Sequence, residues 1–89
     1  MKKIVLENGL ELEVNEQCLN NMELLDALEE MTDGNELAIS KVVKLMLGKE
    51  NRKKLYDHIR DKDGRVPLEI IDKCLTEIML LLGDKGKNS

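Results

Sequence analysis

The sequence predicts a mainly α domain of the α+β class, an N-terminal β-hairpin packed on a bundle of about four short helices. Three observations carry this expectation. Lys2 to Val14 alternates apolar and charged side chains around Asn8-Gly9, as a hairpin with one buried face does. Beyond it, apolar residues recur at helical spacing. Strong turn signals separate the helical runs: Thr32-Asp33-Gly34, Gly48 and Asp63-Gly64-Arg65-Val66-Pro67.

The hairpin register follows from its apolar residues. A two-residue Asn-Gly loop would set Leu6 opposite Glu11 and Ile4 opposite Glu13, mixing apolar and charged groups on one face. A three-residue loop, Glu7-Asn8-Gly9, sets Leu6 opposite Leu10, Ile4 opposite Leu12 and Lys3 opposite Glu13. Cross-strand partners share a face, so the second register is expected, with Gly9 in the left-handed position. A short turn is expected at Glu16 to Leu19. Asn20 or Asn21 then caps a first helix ending near Met31, with Leu24, Leu25, Leu28 and Met31 on its inner face. Asn35 caps a second, with Ala38, Ile39, Val42, Val43 and Met46 inward and Gly48 as its stop. A third runs from Glu50 to Arg60, with Leu55, Tyr56 and Ile59 inward. A fourth starts at Pro67, whose missing N–H suits a first helical position, and carries Ile71, Cys74, Leu75, Ile78 and Leu82. One domain, residues 1–83, and a flexible polar tail, 84–89, account for the 89 residues.

Composition narrows the function. The net charge of −4 opposes general binding to nucleic acid, which depends on cations. The local basic cluster Lys49, Arg52, Lys53 and Lys54 keeps a small phage or prophage nucleic-acid-binding regulator as the alternative. Against it, a recognition helix after Pro67 would present Leu68, Glu69 and Asp72 to phosphate. Cys18, His58 and Cys74 are scattered, without metal-ligand spacing. Asp61-Lys62-Asp63-Gly64 opens like a calcium loop, but placing Gly64 at the sixth position puts Ile59 at the first, where it cannot ligate. Neither an activated nucleophile nor an acid/base pair stands near His58, so no enzyme, cofactor or metal is expected. The apolar run Ile4-Val5-Leu6 is too short for a signal peptide, and Ile78 to Leu82 is too short to span a membrane, so a cytosolic protein is expected. Apolar side chains beyond the need of so small a core are Leu45 and Leu47 on the second helix and Met79, Leu80 and Leu81 on the fourth. These five are the candidate partner-binding residues.

Several short signals together carry a resemblance. They are Glu7-Asn8-Gly9, Met22-Glu23-Leu24-Leu25, Leu47-Gly48-Lys49-Glu50, Lys54-Leu55, His58-Ile59-Arg60-Asp61, Asp63-Gly64-Arg65-Val66-Pro67 and the terminal Lys87-Asn88-Ser89. In these the chain resembles the small tail assembly chaperones of long, non-contractile-tailed (siphovirus-type) bacteriophages and their prophages. The resemblance implies a non-enzymatic protein of the host cytoplasm that coats the tape measure protein, keeps it soluble, recruits tail tube protein and is absent from the mature virion. It also implies two products, the longer made by a programmed ribosomal frameshift near the end of the shorter. Gly86-Lys87-Asn88 can be encoded with a slippery A-AAA-AAC heptamer, a suitable place for such a shift. The longer form would bring the tube protein. Separately from the resemblance, a core without Trp or Phe is expected to be modestly stable alone, which makes self-association a further expectation. The resemblance assigns no individual functional residues. Adaptable aliphatic and Met side chains suit weak, reversible contacts with a long helical partner.

Overall fold

The computed structural model describes residues 1–83. The expected C-terminal tail at 84–89, with its Lys87-Asn88-Ser89 signal, lies outside them. Two strands, β1 (Lys2–Val5) and β2 (Glu11–Val14), form an antiparallel hairpin. A 3-10 turn, Glu16–Leu19, leads to α1 (Met22–Thr32), α2 (Ala38–Ile59) and α3 (Leu68–Gly83). None of these helices is long and apolar enough to cross a membrane.

The hairpin has the register expected from its apolar pattern. Ile4 pairs with Leu12 and Lys3 with Glu13. The Leu6 N–H donates to the Leu10 carbonyl (2.9 Å) and the Gly9 N–H to the Leu6 carbonyl (2.8 Å), closing the three-residue loop. Gly9 has φ 91°, a conformation that a Cβ would strain. Ile4, Leu6, Leu12 and Val14 are buried on one face, β1 lying against α3 and β2 against α2.

Among the described residues three α-helices stand where about four were expected. The predicted second and third helices are the two arms of α2, joined at Gly48 with φ 76° and ψ −178°. Gly48 stops the first arm as its sequence foretold, but the chain resumes helical geometry at once instead of entering a loop. Two starts also differ. The Asn35 side chain accepts from the Leu37 N–H (3.1 Å), forming a turn that delays α2 to Ala38. Pro67 stands just outside α3, its carbonyl accepting from the Ile71 N–H (3.1 Å). Of the two candidates for capping α1, Asn21 does so: its side chain accepts from the Glu23 N–H (3.0 Å). At the other end of α1, Gly34 (φ 98°) and Asn35 return their N–H groups to Met31 and Glu30, a Schellman ending.

The core is almost wholly aliphatic. Leu24 and Ala27 of α1, Val42, Val43, Met46 and Leu55 of α2, and Ile71, Cys74, Leu75, Ile78 and Leu82 of α3 meet the hairpin's inner face. Leu25 departs from expectation at 51% exposed, its place on the inner face taken by Ala27. Helical spacing puts Leu24, Leu28 and Met31 on one stripe with Ala27, and Leu25 falls at its edge.

Candidate partner-binding surface

An apolar groove forms where the loop before α2, the second arm of α2 and the start of α3 converge. Leu37, Ile39, Tyr56, Val66, Leu68 and Ile71 line a depression of about 360 Å³, with Glu36 and Ser40 at its margin. A second depression of about 290 Å³ adjoins it, sharing Glu36, Ile39 and Leu68 and adding Met31, Gly34, Glu69 and Asp72. Ile71 and Ile39 form its buried floor, whereas Leu37 is 86% and Leu68 55% exposed. Leu68 lies one turn before Ile71 on the same stripe of α3, yet no element of the described chain covers it. Single exposed leucines are ordinary on a protein surface, but two beside a concave apolar floor are not accounted for by folding.

The loop entering α3 holds its wall of the groove in place. The Asp61 side chain accepts from the Asp63 and Arg65 N–H groups (both 2.9 Å). The Asp61 N–H donates to the Arg65 carbonyl (2.8 Å) and the Gly64 N–H to the Asp61 carbonyl (3.0 Å), with Gly64 at φ 86°. Arg60 clamps the turn by donating to the Gly64 carbonyl (2.9 Å) and to Asp57 (3.2 Å). The segment that looked like the opening of a calcium loop thus spends the Asp61 carboxylate on its own backbone, and delivers Val66 to the groove.

The five residues expected to bind a partner lie elsewhere. Leu45 and Leu47 border a depression of about 320 Å³ with Met1, Cys18 and Gly48, Leu45 half-buried and Leu47 buried. Met79 and Leu81 are half-buried, and Leu80 is 70% exposed. The end of α3 is tied to the hairpin, for Lys2 Nζ donates to the Leu81 carbonyl (2.7 Å). Only Leu80 of the five offers a largely open side chain. The groove leucines were not singled out from sequence. Leu68 carried a legible signal, since it extends the α3 stripe by one turn. Leu37 carried none, being an isolated apolar residue in a turn.

Other functional candidates are absorbed by the fold. His58 Nε2 stands 3.0 Å from the Asn8 carbonyl, which only accepts, so Nε2–H is the donor of this bond. The hairpin tip is further held by the Glu7 N–H donating to Glu77 (2.8 Å), and the second strand by Asn51 donating to the Glu13 carbonyl (2.7 Å). Burial pushes the Cys18 thiol up from its ordinary value. Burial, and then the charge of Glu77, do the same to Cys74. Within the basic cluster, Lys53 is paired with Asp57 (2.8 Å), which also holds Arg60.

Comparison with protein-family models, with curated proteins and with solved structures finds no match to this chain.

Proposed function

We propose that this chain is a non-enzymatic phage tail assembly chaperone that binds the tape measure protein and keeps it soluble until the tail tube encloses it. The observation that carries the reading is the open apolar groove around Leu37 and Leu68, whose walls are set by a braced loop and two helix starts. A long helical partner exposes apolar stripes before it is enclosed. Shallow aliphatic surfaces cover such stripes with contacts weak enough to be reversed. Leu80, largely exposed, and the half-buried Leu45, Met79 and Leu81 are further apolar contact points in this proposal, used by a neighbouring copy or by the same partner, while Leu47 serves the core. The chaperone acts in the host cytoplasm and is absent from the mature virion. A longer, frameshifted form brings the tail tube protein, raising its effective concentration at the coated tape measure.

Co-expression with the tape measure protein tests the reading. The soluble yield of that protein is expected to rise with the chaperone present. An unchanged yield, with both proteins expressed, would refute it. The coding sequence tests the longer form separately: a slippery heptamer at Gly86 to Asn88 and an open overlapping frame are expected.

A further inference from the structure

The groove is selective in charge as well as in shape. We infer that its occupant is an amphipathic helix carrying Lys or Arg beside its apolar stripe, seated so that the cations meet Glu36, Glu69 and Asp72. In the function proposed above, on which this rests for the identity of the partner, the helix belongs to the tape measure protein.

Three carboxylates, Glu36, Glu69 and Asp72, line the second depression, and Glu36 also borders the first. None of the ion pairs among the described residues involves them. The starts of α2 and α3 meet at the same place, and each helix N-terminus is worth roughly half a positive charge. Two such ends offset about one of the three carboxylates, so the adjoining depression remains negative. Neither depression has a Lys or Arg among its lining residues, and Lys53 and Arg60, three residues before and four after Tyr56, are both paired with Asp57.

A helix fits better than a strand. The walls offer side chains from helices and loops, with no free strand edge for main-chain pairing, and a helix brings its own backbone bonds already satisfied. Helix α1 of a second copy is disfavoured as the occupant. Its exposed apolar pair, Met22 and Leu25, is flanked by Glu23, Asp26 and Glu29, which would face the three carboxylates. Nucleic acid is repelled by the same charges.

The test uses two synthetic amphipathic helices of equal length, one of leucine and lysine, the other of leucine and glutamate, titrated into the whole chain. The lysine peptide is expected to bind at least about tenfold more tightly, and to weaken as NaCl is raised. Combined Glu36→Lys, Glu69→Lys and Asp72→Lys should invert that preference. Combined Glu16→Lys, Glu23→Lys and Asp26→Lys makes the same change in net charge away from the groove and should preserve it. Leu37→Ser with Leu68→Ser should weaken the lysine peptide by about tenfold or more without charge change. Both leucines are mostly exposed, so this pair retains the fold even if the charge-reversed triple does not. Equal affinity for the two peptides, an equal loss in the control triple, or unaltered binding by the serine pair would each overturn the inference. Solubilisation of the tape measure protein by the serine pair as fully as by the wild type would also overturn it, while sparing the chaperone function. Groove-dependent binding of the lysine peptide, alongside no solubilisation by the wild type, would sustain the groove's preference and remove the chaperone.

Discussion

Short side-chain acceptors do most of the local shaping in this molecule. Asn8, Asn15, Asn21, Asn35 and Asp61 each accept from a backbone N–H two residues on, at 2.9–3.1 Å. Each closes a turn or helix start by occupying a donor that would otherwise need water. Asp57 acts differently, through charge. The hydrogen bond from Lys53, then that from Arg60, hold its carboxyl below the usual carboxylate range. The folded state therefore takes up this proton less readily than the unfolded chain. The stabilisation is present at neutral pH and down to the unfolded value near about 4, and is lost as pH falls through the lower folded value. Asp57→Asn should lower the melting temperature at pH 7, and the gap should close in melts carried below about pH 4. Leu75, fully buried, gives the opposite kind of test. Leu75→Ala should cost about 2–5 kcal/mol in urea denaturation, from lost burial and the cavity it leaves.

At the scale of elements, the hairpin and α3 were legible because their patterns admit one solution. Only the three-residue loop places Ile4, Leu6, Leu10 and Leu12 on a common face. Ile71, Cys74, Leu75 and Ile78 repeat at helical spacing after a firm turn, and all four are buried. The division of α2 was less legible. Gly48 announces a helix end, but whether the next helix continues directly or after a loop depends on where Leu55 must pack, a tertiary matter. The groove was hidden for a related reason: it arises where three segments meet, and no periodicity in any one of them records the space between. Gly48 permits a direct prediction. Its φ and ψ lie in a region open essentially to glycine alone, and nothing lies within 4 Å of where a Cβ would stand. Gly48→Ala should therefore destabilise by backbone strain alone, about 1–3 kcal/mol, seen as a lower urea midpoint with an unaltered slope.

Across the whole molecule, the leucines of the core are distinct from those of the proposed binding groove. The core closes with Leu, Ile, Val, Met, Ala and Cys side chains, while Leu37, Leu68 and Leu80 remain outside it. Leu37→Ser should then shift stability by no more than about 0.5 kcal/mol, as surface changes commonly do, while, under the proposed function, reducing the solubilisation of the tape measure protein. A large fall in melting temperature would show that Leu37 serves the fold instead. The candidate binding residues read from sequence were chosen as apolar surplus at the ends of helical stripes. Much of that surplus, Leu47 above all, is consumed by the core. An 89-residue chain without Trp or Phe needs nearly every aliphatic side chain it has, so surplus cannot be judged by counting along one helix.

The wall of the groove also contains the chain's single tyrosine. With no tryptophan to outshine it, Tyr56 is the sole source of intrinsic fluorescence, and it stands half-buried where a ligand would settle. The molecule therefore carries its own optical gauge: a peptide free of aromatic residues that enters the groove changes the solvent around that ring, and the emission reports occupancy without any label.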